Sequence, residues 1–351
     1  MKFRWWPHTT DAAIASTRLR CLLVIDQLRA QGLDAALYGA RDEAPNVLVL
    51  AKRYDTASVE HARRLRQRGS RLILDICDNH FYSETDDPAW RARRQMLVTA
   101  VRAVDQVVAS SAALAQTIVK EVPDSPPVQV IGDVAESPLD SPTLWMTARG
   151  FRGELELLQL RHRLGALRIT RSRRLVWFGN HGSPNADGGM MDVLRARPEL
   201  DELAHEKAIS LTIISNDVQK FRKIKQGWPL PMLYLPWRAS TFSRALRLHG
   251  VSIIPAGLNP FTRVKTSNRV ATSLLHDLAV VADPIPSYQE FQDHVFLGNW
   301  AVGLRRSVER TREVASMVAG GRRVVQERYG EASIAAQWRD LLLREPNFSA
   351  D

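Results

Sequence analysis

Short β-branched runs alternate with helical patterns along most of this chain of 351 residues, and this alternation limits its fold more than any other feature. Six strands in the first half are separated by stretches that are long enough to be crossover helices. Such alternation is typical of βαβ units and a mostly parallel sheet. The predicted strands are residues 2–7, 33–38, 46–51, 71–77, 106–109 and 128–131, and the predicted helices are residues 17–31, 58–68, 88–104 and 112–120.

A proline-rich segment, residues 125–142, ends this pattern before it starts again. Five more strands are predicted at residues 174–179, 209–215, 232–237, 251–255 and 278–282, with a helix at residues 267–275. We therefore predict an α/β chain of two Rossmann-like domains whose parallel sheets face each other across a cleft. Its predicted parts are a first domain (1–138), a basic linker (139–172), a second domain (173–325) and a C-terminal helix (326–351) that packs back toward the first domain.

Charge and composition exclude several classes of protein. The chain has no run of about 18 apolar residues, so no membrane-spanning helix is expected. Its two cysteines, Cys21 and Cys77, suit neither a disulfide framework nor a zinc site. Because the start of the chain also lacks the pattern of a secretion signal, a reducing cytoplasm is the expected location.

The net charge of +10 is concentrated in one short stretch. Residues 141–180 hold eight basic and two acidic residues, whereas residues 1–140 hold 18 of each. A domain that follows a phosphate backbone would be basic throughout, so we expect no nucleic-acid partner. Leucines lie among the arginines of residues 149–174, which predicts either a peripheral contact with an anionic membrane surface or a solvated linker helix.

A predicted anion site follows the strand at residues 251–255. The loop after this strand ends in hydroxyl residues, which are good N-caps for the helix that begins there. A helix N-terminus offers unpaired amides and the positive end of its dipole, and Lys265 and Arg269 flank it with full charges. The arrangement would hold a diphosphate without a metal ion, and the alternative is an ordinary helix start with solvated cations. The residues of this site are Lys265, Thr266, Ser267, Asn268 and Arg269.

The same segment resembles a known family of enzymes. Residues 265–270, with the strand at 278–282 and the turn Pro286-Ser287-Tyr288, resemble the donor-binding half of group 1 (family 4-like) glycosyltransferases. Looser matches at residues 73–81, 107–114, 175–180 and 322–342 extend the resemblance over nearly the whole chain.

This resemblance implies the GT-B fold and a retaining glycosyltransferase that uses a nucleotide-diphosphate sugar as donor substrate and needs no cofactor or metal. It also implies a glycan or lipid-linked acceptor, surface polysaccharide synthesis, and a place in the cytoplasm or at the inner face of the membrane.

The resemblance implies roles in donor binding, catalysis and acceptor binding for two strand ends and for the first helix. The loop Gly179-Asn180-His181-Gly182 would hold donor phosphate oxygens on its amides and reach the sugar with Asn180 or His181, unless it is a simple turn capped by Asn185. Asp78 and His80 would stabilise charge near the anomeric carbon and orient the acceptor hydroxyl, unless they only cap a turn. Arg18 and Arg20 would bind an anionic acceptor, unless they are exposed at a plain helix start. No histidine spacing suggests a metal site.

The chain departs from this family at several positions. No glutamate lies between Asp217 and Glu290, so the family's glutamate pair is absent, and Thr272 stands as the donor-binding residue at the second position. Asp277 replaces a usual glycine, and residues 9–13 lack the usual glycine pair. These departures leave open a weakened or redirected transferase, a nucleotide-sugar epimerase, and a non-catalytic GT-B-like binding or partner subunit.

Overall fold

The computed structural model describes residues 1–39, 43–136, 148–184 and 186–344, and the chain forms two compact units. The first unit contains Met1–Glu136, the short segment Arg263–Thr266 and the C-terminal segment from Glu327 onward. The second unit contains Ser137–Thr262 and Ser267–Gln326. Of the C-terminal helix predicted at residues 326–351, the structure describes the helix Glu331–Leu343, which belongs to the first unit, as does a four-residue piece of the predicted second domain.

The first unit is built on a sheet of six parallel strands. All residues of the third strand are buried, which explains its continuous apolar sequence, since helices cover both faces of the sheet. The strands are Lys2–Pro7 (β1), Asp34–Leu37 (β2), Val47–Ala51 (β3), Arg71–Ile76 (β4), Gln106–Ala109 (β5) and Val128–Val130 (β6). Their order is β2-β1-β3-β4-β5-β6, so the switch point, where ligands bind in such sheets, lies between β1 and β3.

Helices in the first unit begin at residues that the sequence marks. Asp55 accepts the amide of Ser58 at 3.0 Å, and Ser111 accepts the amide of Leu114 at 3.1 Å. The first helix, residues 15–30, contains a π-type turn over Arg18–Leu22. The other helices are Thr56–Gln67, Pro88–Ala103, Ala112–Glu121 and Glu331–Leu343, and the last packs Trp338 against Trp5 of β1.

The second unit also contains six parallel strands. They are Arg174–Phe178 (β7), Ser210–Ser215 (β8), Met232–Pro236 (β9), Val251–Ile254 (β10), Ala279–Ala282 (β11) and Phe296–Leu297 (β12). Their order is β12-β11-β10-β7-β8-β9, which places the switch point between β7 and β10. All eleven predicted strands are present with ends within one residue of the prediction, and within the described residues only the two-residue β12 was not predicted.

Helices and 3-10 turns connect the strands of the second unit. The helix Asn268–Leu275 begins one residue after its predicted start. The other α-helices are Ala148–Ala166, Arg197–Glu206, Val218–Lys225, Ala239–Leu246, Trp300–Glu309 and Arg312–Tyr329, and the 3-10 segments are Arg171–Arg173, Gly189–Ala196 and Pro286–Phe291.

The predicted linker at residues 139–172 needs correction where the structure describes it. Its helix Ala148–Ala166 buries Leu157, Leu160 and Leu164 in a core that includes residues of β7 and β9. The helix is therefore part of the second unit, because its apolar stripe needs this cover. Residues 137–147 lie outside the described part of the chain.

Asp277 explains one departure from the family pattern. Its φ of +59° is a left-handed value, which glycine usually supplies just after a helix C-terminus. The amide of Leu278 closes the turn on the carbonyl of Ser273 at 3.0 Å, and Arg310 pairs with the Asp277 carboxylate at 2.7 Å. The residue thus keeps the backbone role of glycine.

In the described residues, no helix is both long and apolar enough to cross a bilayer.

Candidate active site

Asp78, just beyond the carboxyl end of β4, is contacted by two lysines of the first unit. Lys52, which follows β3, donates to one carboxylate oxygen, and Lys265, from the segment Arg263–Thr266, donates to the other. Although burial opposes a charge here, Lys265 and Lys52 hold the pKa of the Asp78 carboxyl well below its usual range. The three ionised side chains, which we call the lysine–aspartate cluster, therefore carry a net charge of +1.

His80 is buried, and its two ring nitrogens face different groups. Nδ1 hydrogen-bonds the Tyr54 hydroxyl, which also accepts from Nε of Arg93 at 3.0 Å. Nε2 lies 4.0 Å from Oδ2 of Asp78, and we assign the imidazole proton to this nitrogen because it faces the carboxylate. Burial and the nearby cations lower the pKa of His80 to about 3, against the opposite effect of Asp78. At neutral pH His80 is therefore a neutral donor and a poor general base.

The segment Arg263–Thr266 is anchored in the first unit at three points. Val264 is buried in the core, and its carbonyl accepts the Ser111 hydroxyl at 2.6 Å. The Thr266 hydroxyl donates to Oδ2 of Asp133 at 2.7 Å, and Lys265 contacts Asp78. Lys265 and Thr266 of the predicted anion site therefore belong to the first unit, whereas Ser267, Asn268 and Arg269 belong to the second.

Arg20 does not fit its predicted role in acceptor binding, because only 1% of its side chain is exposed. Its guanidinium donates to Asp75 at 2.6–3.1 Å, to Asp133 at 2.9 Å and to the carbonyl of Ile131 at 3.0 Å. The π-type turn at Arg18–Leu22 surrounds this buried ion pair. Arg20 is therefore a structural residue.

Arg18 is also engaged within the first unit. It forms a two-point ion pair with Glu136 at 2.7 and 3.1 Å, and its Nη1 donates to the carbonyl of Ala12 at 2.9 Å. An anionic acceptor would have to compete with Glu136, so the structure does not support the predicted role of Arg18.

A glycine-rich loop follows β7 at the switch point of the second unit. Gly182 and Gly189 have φ values of +133° and +82°, which side chains rarely tolerate. A Cβ atom on Gly189 would lie only 2.6 Å from Cα of Gly182, so the two backbones meet directly. The loop therefore presents main-chain groups, as a phosphate-holding turn requires.

The side chains predicted to reach the sugar take different positions in this loop. Asn180 is exposed, whereas Nδ1 of His181 lies 3.0 Å from Oδ1 of Asn216, after β8. The Lys220 ammonium donates to the His181 carbonyl at 3.1 Å, which places a cation against the loop. Asn185, the alternative helix cap, lies outside the described residues.

Arg269 lies in the first turn of the helix Asn268–Leu275 and faces this loop. Its guanidinium carbon lies 6.0 Å from the centroid of the Trp177 ring, and it also donates a hydrogen bond to Tyr288. A Cβ atom on Gly179 would lie 3.6 Å from its Nη1. A fixed guanidinium beside glycine amides is well suited to bind phosphate oxygens.

The helix start itself departs from the prediction in two respects. Ser267 is the N-cap residue, but its hydroxyl makes no capping hydrogen bond. Thr272 is only 7% exposed, and its carbonyl accepts both the amide and Nδ1 of His276, at 3.3 and 2.7 Å. A buried Thr272 does not fit the predicted donor contact.

Several residues near the candidate site were not predicted from the sequence. Lys52 had a usable signal, because it directly follows a fully apolar strand and strand ends carry the chemistry in such sheets. Tyr54, Arg93 and Lys220 had none, since only the tertiary fold brings them to His80 and to the glycine loop. Within the part of the chain that the structure describes, no group of acidic, histidine or cysteine side chains has the arrangement of a metal site.

Comparison with solved structures identifies the fold. HepE from Anabaena, in complex with UDP and glucose, matches with a TM-score of 0.66 over 97% of this chain and 99% of that one, at 13% identity. The chain has the GT-B fold. A glycosyltransferase from Rickettsia africae matches with a TM-score of 0.65 over 99% of this chain and 98% of that one, at 10% identity.

WaaG, a glycosyltransferase involved in lipopolysaccharide biosynthesis, matches with a TM-score of 0.61 over 98% of this chain and all of its own, at 11% identity. No family model and no curated protein matches the sequence. At these identities the structural matches show the fold alone.

Proposed function

We propose that this protein is a glycosyltransferase that moves a sugar from a nucleotide-diphosphate donor to a glycan or lipid-linked acceptor. The observation that carries the proposal is the switch point of the second unit, where Arg269 borders a loop of half-buried glycines. The same fold in HepE was solved with UDP and glucose. In this proposal the glycine loop, Arg269 and Lys220 hold the donor diphosphate, and the first unit binds the acceptor.

The proposed transfer retains anomeric configuration and uses no protein base. The acceptor oxygen bonds to the anomeric carbon as the bond to the diphosphate breaks, and the leaving phosphate takes the acceptor proton. His80 supports this route, because a neutral imidazole with a pKa of about 3 is a poor base at neutral pH. Its Nε2–H is instead suited to orienting an acceptor oxygen.

The proposed reaction also needs no metal ion. Charge on the leaving diphosphate has to be neutralised, and Arg269 and Lys220 are the cations that the second unit offers beside the glycine loop. Protein cations placed beforehand at a leaving group contribute about 10²–10³-fold to such reactions. Full activity in the presence of a chelator would support this part of the proposal.

We also propose that the protein contacts an anionic membrane surface through the helix Ala148–Ala166. Phe151, Leu155 and Leu158 lie on its outer face with 61%, 43% and 56% of their surface exposed, and we call them the apolar ridge. Glu154 and Glu156 turn away from this face and pair with arginines of the helix Ala239–Leu246 and the residue before it. The outer face therefore keeps a basic border of Arg161 and Arg163, whereas Arg152 pairs with Glu156 at 3.0 Å.

Two other arginines of the stretch that the sequence suggested for the membrane contact have partners within the second unit. Arg171 donates to the carbonyl of Arg247 at 3.0 Å and pairs with Asp277, and Arg174 donates to the carbonyl of Ile169 at 2.9 Å. These two arginines hold the second unit together, so they are poor candidates for lipid binding.

A non-catalytic binding subunit is the second candidate. The contact of Lys265 with Asp78 favours it, because a lysine that already pairs with a carboxylate gives less to a diphosphate. A screen of nucleotides and nucleotide sugars for thermal stabilisation, followed by an assay for sugar release or transfer, separates the candidates. A binding subunit would be stabilised without turnover, whereas an enzyme would show both.

A further inference from the structure

A crevice lies between the helix Ala148–Ala166 and β9, the strand at one edge of the second sheet. The helix packs along this strand but leaves a volume of about 100 Å³ beside it. That volume is large enough to admit a small polar group. The walls are four side chains of the helix and four residues of the strand: Glu156, Gln159, Leu160, Arg163 and Leu233–Pro236.

The crevice has a positively charged rim. Glu156 lies between two arginines, since it accepts from Nε of Arg238 at 2.7 Å and from Nε of Arg152 at 3.0 Å. Arg163 is exposed and forms no ion pair with any residue that the structure describes. The three arginines and one glutamate carry a net charge of +2, so the crevice favours an anion.

The open edge of β9 adds main-chain groups to the crevice. At one end of the strand, the carbonyl of Pro231 accepts the amide of Leu211 at 3.0 Å. At the other end, the amide of Trp237 donates to the carbonyl of Ser215 at 2.8 Å. The odd-numbered residues of β9 therefore pair with β8, and the amide and carbonyl of Tyr234 point to the open edge.

Tyr234 lines the crevice with its main chain. Its ring packs against Phe221 on one face of the sheet, with the ring centroids 5.1 Å apart, whereas Leu235 packs on the other face with leucines of the helix. Pro236 has no N–H group, and proline on an edge strand discourages pairing with a further strand. The edge is therefore suited to a small acceptor group and not to an extended peptide.

The apolar ridge borders the crevice on the outer side of the helix. Leu155 precedes Gln159 by one helical turn, and Gln159 precedes Arg163 by another. Side chains at this spacing are neighbours on a helix surface. A molecule with one anionic and one apolar part would therefore contact the crevice and the ridge together.

We infer that the crevice binds the phosphate head group of an anionic phospholipid, whose acyl chains lie along the apolar ridge. Arg163, the side-chain amide of Gln159 and the main-chain amide of Tyr234 are the donors for the phosphate oxygens. The inference rests on the proposed membrane contact and adds to it a defined lipid site, with one lipid bound per protein.

The probe for this site is dihexanoylphosphatidylglycerol below its micelle concentration. NMR of the methyl groups of Leu160, Leu233 and Leu235 should show saturable shifts as this lipid is added. Arg163→Gln should weaken its binding roughly tenfold or more, because a hydrogen bond to a charged group is lost. Gln159→Glu keeps the size of the side chain and should weaken binding at least as much, because a carboxylate repels the phosphate.

Arg161→Gln is the matched control. Arg161 is exposed on the same helix, about half a turn from Arg163, and is not part of the crevice. This variant loses the same charge and should bind the short-chain lipid like the wild type. The inference is overturned if the methyl groups do not shift, or if Arg163→Gln binds as tightly as Arg161→Gln.

Glycerol 3-phosphate tests whether the ligand is a lipid. It carries the phosphate group without acyl chains, so it should bind roughly tenfold or more weakly than the short-chain lipid. Equal affinity for the two compounds would assign the crevice to a soluble phosphate and overturn the inference.

Sedimentation with anionic vesicles separates this inference from the proposed membrane contact. If only the membrane contact fails, the wild type does not sediment, whereas the short-chain lipid still shifts the three methyl groups. If only the lipid site fails, the wild type sediments, and Arg163→Gln and Arg161→Gln lose the same fraction of bound protein. The second result overturns the inference.

Discussion

The buried His80 should make the first unit sensitive to mild acid. The pKa of His80 is about 3 in the folded protein, against an ordinary value of 6.5. Below pH 6.5 His80 therefore binds a proton in the unfolded chain but not in the folded one, so the free energy of unfolding falls as pH falls toward 3. One pH unit corresponds to about 1.4 kcal/mol, so at pH 5 this residue alone should lower the free energy of unfolding by about 2 kcal/mol relative to pH 8.

Urea unfolding at pH 8 and pH 5 measures this effect. Asp78 does not interfere, because its lowered pKa confines its own loss of stability to more acidic conditions. His80→Gln keeps an acceptor for the Tyr54 hydroxyl and removes the titration, and the exposed His205→Gln is the matched control. Wild type and control should lose about 2 kcal/mol more than His80→Gln between the two pH values. Equal losses in all three proteins would refute the burial of His80 and its lowered pKa.

Four further predictions concern the proposed reaction, the buried ion pair and the membrane contact. Arg269→Ala should reduce transfer by about 10²–10³-fold with normal folding, and unchanged turnover in this variant would contradict the donor site. Transfer should continue in a chelator, and an activity that manganese or magnesium restores would contradict metal independence. Arg20→Met leaves Asp75 unpaired and should cost about 3–5 kcal/mol in urea unfolding, whereas unchanged stability with weaker acceptor binding would restore its first predicted role. Serine at all three positions of the apolar ridge should abolish sedimentation with anionic vesicles and leave transfer to a soluble acceptor intact, and vesicle binding that survives this variant would disprove the contact.

The sequence predicts the fold better than it predicts the site. Parallel strands that are buried on both faces are continuous apolar runs, and hydroxyl or aspartate residues mark the helix starts, so local patterns were enough to place the strands. The helix Ala148–Ala166 was misread as a linker. Its arginines and leucines fit a membrane contact or a solvated helix, and only the tertiary structure shows that some of the leucines pack against β7 and β9.

The errors at the site have one physical cause. Arg20 and Arg18 were read as exposed cations, since nothing local shows that Asp75 and Glu136, far away in the chain, neutralise them. The pairing of Lys265 with Asp78 is equally remote in sequence. Charge partners are set by tertiary contacts, whereas the glycine loop after β7 and the cation at Arg269 follow from local motifs and were predicted.

The proposed donor site is tested most directly by calorimetric binding of nucleoside diphosphates to the wild type, to Arg269→Met and to Arg222→Met. Arg222 is exposed on the helix Val218–Lys225 and provides the same change of charge away from the glycine loop. We predict that at least one nucleoside diphosphate binds to the wild type and to Arg222→Met with equal affinity, and roughly tenfold or more weakly to Arg269→Met. Absence of binding by every nucleoside diphosphate, or equal binding by all three proteins, would contradict the proposed donor site.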